Sequence, residues 1–151
     1  MTDISVAVPV YNEVESIGEF CGELHETMSK LGRSYEILLV DDGSTDGSWE
    51  RMREQAAKYP NMRLVRFRRN FGQTAAMSAG FREARGEIVI TMDADLQNSP
   101  ADIPKLLGKM AEGFDVVSGW RKDRKDTFLI RRLPSMFANG LISRITGVRL
   151  H

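Results

Sequence analysis

Residues 88–98 read I-V-I-T-M-D-A-D-L-Q-N, an apolar run from Ile88 to Met92 that stops on two carboxylates, Asp93 and Asp95. Five apolar or β-branched residues bounded by polar ones predict a buried strand with the acids at its C-terminal edge. Because the acids are two apart, an extended backbone would send both to one face, with Gln97 following in register. Like charges held that close repel and raise each other's pKa, and a divalent cation between them would remove the penalty. All-oxygen ligands suit Mg²⁺ or Mn²⁺ rather than zinc. The triplet also fits a plainer role, since Asp and Asn often close strands as turn residues or cap the next helix.

On either side of this run the chain alternates between two periodicities. Ile4 to Val10 and Tyr35 to Val40 are short apolar runs of strand type, and Met62 to Phe67 alternates apolar and basic residues as a half-exposed strand would. Between them, Ile17, Phe20, Cys21, Leu24, Met28 and Leu31 recur at helical spacing up to a stop at Gly32, and His25 on this helix reads as a partly exposed structural residue. A second helix over about Ser48 to Tyr59 presents Trp49, Met52 and Ala56, and a third, small-residue helix spans Gln73 to Ala84. Beyond the acids, Ser99-Pro100-Ala101-Asp102 has the form of a helix N-terminus, with that helix running to about Glu112. Asp115 to Trp120 reads as a fifth strand. Strands alternating with helices of this length predict an α/β fold, a mainly parallel Rossmann-like sheet with helices on both faces.

The 151 residues suffice for one domain with a sizeable core. The formal net charge of zero conceals an asymmetry: residues 1–120 carry 13 basic and 19 acidic side chains, and residues 121–151 carry 8 and 2. A basic tail favours an anionic partner near the C-terminus, or is simply a solvated face. Within it Ile130, Leu133, Phe137, Leu141 and Ile145 are spaced as on an amphipathic helix, suited to docking on a core or to a membrane surface. The single Cys21 forms no internal disulfide and belongs to no Cys/His cluster of metal-ligand type, which fits a reducing compartment. No stretch approaches eighteen consecutive apolar residues, and the N-terminus lacks the pattern of a secretory signal. The last residues, G-V-R-L-H, follow a helical pattern with no stop signal, as expected of a piece cut from a longer protein.

In an open parallel sheet, ligands bind beyond the carboxyl ends of the strands. Three polar clusters fall there: Val8 to Glu13, Asp41 to Ser44, and Asp93 to Asp95. Such an acid-rich cleft suits ribose hydroxyls, base N–H groups and metals better than bare phosphate. A nucleoside diphosphate held through a metal reconciles these preferences. Neither G-x-G-x-x-G nor G-x-x-x-x-G-K-[ST] occurs, which argues against a dinucleotide-binding dehydrogenase and a P-loop NTPase. Gly43 and Gly47 read as turn and helix-entry glycines.

The ordered set V-P-V-Y-N-E, D-D-G-S-T-D and D-A-D-L-Q resembles the family 2 glycosyltransferases of GT-A fold. The fuller strings R-N-F-G-Q-T-A-A, D-A-D-L-Q-N-S-P, G-W-R and R-R-L-P-S most resemble the dolichyl- or polyprenyl-phosphate sugar synthases among them, over nearly the whole chain. The resemblance implies a nucleotide-sugar-binding core over residues 1–127 and an acceptor-side helix over 128–151. It implies that Pro9, Tyr11, Glu13, Val40 and Asp42 line a nucleoside pocket, that Asn70 and Gly72 shape its floor, and that Asp93 and Ala94 complete it. Asp93, Asp95 and Gln97 would take Mg²⁺ or Mn²⁺, with Asp93, Asp95 and Arg121 catalytic. Arg121, Arg131, Arg132 and Ser135 would hold the acceptor phosphate.

The reaction implied is transfer of a hexosyl group, with inversion, from a GDP- or UDP-linked sugar to a polyprenyl phosphate at the cytoplasmic face of a membrane, with no nucleic acid involved. A phosphate monoester has a second pKa near 6 and is already ionised at neutral pH, so no strong general base is required. A sugar hydroxyl as acceptor, in polysaccharide synthesis, would need one. Asp123 and Asp126 stand where such a base would fall, but among basic residues they read as loop charges. A nucleotide-sugar-binding fragment without turnover is the principal rival, and a nucleotidyltransferase is disfavoured by the missing glycine- and lysine-rich loop.

Overall fold

The computed structural model describes residues 2–119. Four strands, β1 (Ile4–Val10), β2 (Tyr35–Asp41), β3 (Met62–Arg66) and β4 (Ile88–Thr91), alternate with helices α1 (Ile17–Lys30), α2 (Ser48–Lys58), α3 (Gln73–Glu83) and α4 (Ile103–Met110). All pairings are parallel, and the sheet order is β3-β2-β1-β4. Strand order therefore reverses at β1: the chain first builds outward to β3 and then returns to the other side of β1. The α/β architecture expected from the alternating pattern is present, and the crevice of a doubly wound sheet opens at this reversal.

The two faces of β1 and β2 explain the helix positions. Ile4, Val6, Val8 and Val10, with Ile37 and Leu39, join Ile17, Phe20, Cys21, Leu24 and Met28 of α1 and Met52 of α2 in one buried cluster. The apolar spacing read in α1 is thus its core face, and Gly32 takes the left-handed φ of +65° just beyond it. Burial pushes the Cys21 thiol up to about 12, so it packs as a small apolar group. Alternation sends Ala7 and Val40 to the opposite face, where α3 lies so close that a Cβ on Gly80 would stand 2.9 Å from that of Ala7. His25 is half-buried, as expected, and ties α1 to the sheet through a 2.9 Å contact between Nδ1 and the Tyr35 hydroxyl while stacking on Tyr59.

Three expectations change. β4 is four residues long and alternates between half-buried and exposed rather than being buried, because among the described residues it forms the edge of the sheet. Residues 115–119 form no strand; Phe114 is 56% and Val116 84% exposed, and Trp120 lies outside the described residues. Apolar alternation specifies a strand only where a partner edge meets it. The helix after Ser99 begins as a 3-10 turn over Pro100–Asp102 before α4, as befits two prolines, Pro100 and Pro104, that supply no backbone donor. Ser99 does cap it, accepting from Ala101 N at 3.3 Å. The amphipathic segment at 128–145 lies outside the described residues.

Candidate functional site

At the carboxyl ends of the strands lies a cleft of about 330 Å³. Pro9, Val10, Tyr11 and Glu13 from the end of β1 and the loop after it form one wall, with Asp42 from the end of β2. Asn70, Gly72 and Gln73 enter from the loop before α3 and its first residue, and Asp93, Ala94 and Asp95 from the loop after β4. The topology that reverses at β1 brings these four segments together.

The β1 wall is fixed by the neighbouring loop. Ser44 Oγ accepts from Asn12 N at 3.0 Å, Asn12 Oδ1 from Thr45 N at 2.9 Å, and Ser48 Oγ from Glu13 N at 2.8 Å. Asp46 accepts from Val14 N and, at the start of α2, from both Ser48 N and the Ser48 hydroxyl. Burial pushes the Asp46 carboxyl up, but these donors outweigh it and hold the group below its usual range. Asn12 itself adopts φ +55°, a conformation Asn tolerates better than most residues. Much of the D-D-G-S-T-D string therefore holds the cleft in shape. Asn12 and Ser44 were legible only as members of the polar clusters at the strand ends, Asp46 only within D-D-G-S-T-D and Ser48 only as the start of α2, since the bonds that join the two loops span more than thirty positions.

Asp41 and Asp42 part company. Asp41 is fully buried, accepts from Ser44 N at 2.9 Å and has Arg66 Nε 3.3 Å from its other oxygen, too poorly aligned for a hydrogen bond. Asp42 is 2% exposed and spends one oxygen on Phe71 N at 2.7 Å and the other on Gly72 N at 2.9 Å. Its carboxylate thus anchors the loop that carries Asn70 and Gly72, and only the remaining lone pairs face the cleft. Gly43 makes this approach possible: at φ +74°, its Cβ would stand 2.4 Å from the carbonyl carbon of Arg69. Gly43→Ala is expected to cost at least about 1–3 kcal/mol in backbone strain. Chemical denaturation should show the loss, and any ligand of this cleft should bind more weakly in titration calorimetry because the Asn70 loop is displaced.

Asp93 and Asp95 reach the same cleft, although not through the extended backbone their spacing suggested. The chain bends over 94–98, Leu96 takes φ +59°, and Asp95 Oδ1 accepts from Gln97 N at 3.0 Å. That turn leaves the Gln97 side chain exposed and outside the cleft wall. Val40 is likewise outside it, fully buried against α3. Val10 and Gln73 line the cleft without having been singled out; Gln73 was visible only as part of R-N-F-G-Q-T-A-A. Arg121, Arg131, Arg132 and Ser135 lie outside the described residues.

As a cation site, the two carboxylates offer hard oxygen donors. Among the described residues no group of three His, Cys, Asp or Glu side chains gathers around a metal position. Mg²⁺ commonly takes one or two carboxylates and completes its shell with substrate phosphates and water. The donor set fits that mode.

The family described as glycosyl transferase family 2 matches residues 5–150. A dodecaprenyl-phosphate galacturonate synthase of Rhizobium johnstonii is 44% identical over 99% of this chain and 45% of its own length. An undecaprenyl-phosphate 4-deoxy-4-formamido-L-arabinose transferase of Edwardsiella ictaluri is 47% identical over 95% of this chain and 44% of its own. The chain thus spans less than half the length of these curated relatives. A mannosyltransferase from Pyrobaculum calidifontis, solved with GDP-Man and Mn²⁺, superposes with a TM-score of 0.55 at 33% identity, covering 61% of this chain and 27% of that one. A mycobacterial protein of known structure shares the fold, with a TM-score of 0.66 at 24% identity over 95% of this chain and 47% of its own.

Proposed function

The chain belongs to glycosyl transferase family 2, and from that premise we propose that it forms the donor-binding part of an enzyme that transfers a glycosyl group, with inversion, from a nucleoside diphosphate sugar to a polyprenyl phosphate. The observation that carries this reading is the convergence of Pro9, Tyr11, Glu13, Asp42, Asn70, Gly72, Asp93, Ala94 and Asp95 on one cleft from four separate segments. The relatives named for lipid-phosphate acceptors support the acceptor class. One of them is named for an L-arabinose derivative, a pentose, so the transferred group is proposed as a glycosyl group in general and not a hexosyl group alone.

In this reading the nucleoside lies along Pro9, Tyr11 and Glu13. Tyr11, 47% exposed, offers a ring to a base, and Glu13 offers carboxylate oxygens to ribose hydroxyls or base N–H groups. Asp42 contributes chiefly by holding the Asn70–Gly72 loop against the ligand. Asp93 and Asp95 hold Mg²⁺ or Mn²⁺, which as a Lewis acid would offset the charge that develops on the departing diphosphate. The acceptor phosphate, ionised near neutral pH, attacks the anomeric carbon without a protein base, and the basic residues Arg121, Arg131 and Arg132, with the hydroxyl of Ser135, are assigned to it. The site of action is assigned to the cytoplasmic face of a membrane, where the polyprenyl phosphate resides. No helix among the described residues is long and apolar enough to cross one.

A panel of UDP- and GDP-linked sugars with Mn²⁺ or Mg²⁺ tests the donor half by thermal shift. A ligand at a hundred times its Kd stabilises the fold by about 2.7 kcal/mol. At least one nucleotide sugar should raise the melting temperature in a metal-dependent manner, and label should pass from it to a short polyprenyl phosphate in the full-length protein. A folded chain whose melting no nucleotide sugar raises would overturn the proposal.

A further inference from the structure

Gln73 opens α3 on the rim of the cleft, and its side-chain amide Nε2 donates to Asp93 Oδ1 at 2.7 Å. The contact crosses from the first residue of α3 to the loop after β4, and a second, smaller hollow of about 160 Å³ shares Pro9, Gln73 and Asp93 with the main cleft. The pair therefore stands on the wall common to both hollows. Resting on the donor-site reading above, we propose that Gln73 is a positioning residue for Asp93, fixing its carboxylate so that Oδ2 is presented to the divalent cation.

The residue type matters to this role. A carboxylate has two equivalent oxygens and a free torsion about its bond to Cβ, so an unrestrained Asp93 would sample orientations that turn its lone pairs away from a cation. One strong donor on Oδ1 removes that freedom. An amide does so without charge, leaving the full negative charge on Asp93, whereas a lysine or arginine in its place would compete with the cation. Gln73 also owes its position to features already described. Gly72, at φ +95°, is the N-cap residue from which α3 starts, and Asp42 holds Gly72 N. Asp42, Gly72, Gln73 and Asp93 thus form a relay of contacts from the end of β2 to the end of β4.

Groups that orient a metal's ligands typically change affinity or activity by about 10–100-fold when removed. Gln73→Met keeps the length and volume of the side chain and deletes the donor; Gln73→Ala deletes both. Titration with Mn²⁺ in the presence of GDP or UDP, followed by electron paramagnetic resonance of the free ion, reads affinity independently of turnover. Both variants should bind Mn²⁺ at least about 10-fold more weakly, with apo melting temperatures unchanged. In the full-length protein, saturating Mn²⁺ should restore kcat while the apparent KM for the metal rises. Mn²⁺ affinity of Gln73→Met equal to that of the unsubstituted chain overturns the role of Gln73 alone. Failure of the unsubstituted chain to bind Mn²⁺ with either nucleotide overturns the donor-site reading and this inference with it.

Discussion

Asp95→Ala is expected to lower glycosyl transfer by about 10²–10³-fold, the loss typical of removing one group that stabilises developing charge. The carboxylate lines the cleft beside Asp93 and is one of two acids there suited to a divalent cation. The alanine variant alone mixes two effects, because Asp95 Oδ1 also accepts from Gln97 N and supports the turn in which Leu96 is left-handed. Asp95→Asn separates them: its amide oxygen keeps the bond to Gln97 N, while the negative charge is gone. Asn should therefore melt like the unsubstituted protein yet lose metal-dependent donor binding nearly as fully as Ala. Transfer assays on the full-length protein, with donor titrations at fixed Mn²⁺, measure both. Unchanged activity and donor affinity in Asp95→Ala would remove the cation from the mechanism.

The largest stability effect is placed at the other end of the sheet. Glu36 is 6% exposed and accepts from the Ser5 hydroxyl at 2.7 Å, Arg85 N at 2.8 Å and Arg63 Nη1 at 2.9 Å. Ser5 Oγ in turn accepts from Gly86 N at 2.8 Å. This network ties the turn between α3 and β4 to β1 and β2. Gly86 packs so tightly that a Cβ would meet Ser5 N at 2.5 Å. Glu36→Ala should cost about 3 kcal/mol, the low end for breaking a buried pair, because Arg63 remains 30% exposed and keeps Glu83 at 3.0 Å.

Burial pushes the Glu36 carboxyl up, but the donors from Ser5, Arg63 and Arg85 outweigh it, so its folded pKa lies below the ordinary 4.5. The stabilisation from a lowered carboxyl is fully present above the unfolded value and is lost as pH falls through the folded one. Glu36→Gln should therefore be less stable than the unsubstituted protein at pH 7, with the difference narrowing below about pH 4.5. Urea denaturation across that range checks the sign; a gap that widens on acidification contradicts it.

What could be read in advance follows physical reach. The apolar positions of α1 interact within the helix and with whatever core exists, so Ile17, Phe20, Cys21, Leu24 and Met28 declared themselves by spacing. Strand runs and the acids at their ends placed the cleft for the same reason, since alternation and the parallel fold put Pro9, Asp42 and Asp93 at one edge. Long-range commitments were not legible. That Asp42 would serve Phe71 N and Gly72 N depends on how closely two loops approach, and no local pattern encodes that distance. The left-handed turn at Leu96 defied the usual preference for glycine and removed Gln97 from the cleft. Val-Val at 116–117 has strand character, yet side chains alone do not provide a partner edge.

The sheet order has a consequence for how the protein is made. Of the four described strands β1 is made first, yet it sits between β2 and β4, and the edge that β4 occupies is filled only once Ile88–Thr91 has emerged. Pairing Ile4 with Ile88 closes a loop of more than eighty residues, an entropic cost that local contacts cannot offset early. Asp93 and Asp95, the acids proposed to hold the cation, follow within four residues of that late strand. Among the described strands the earliest made therefore has its pairing completed by the latest, and the cleft walls from β1 and from the loop after β4 come together when the two ends of this long loop meet.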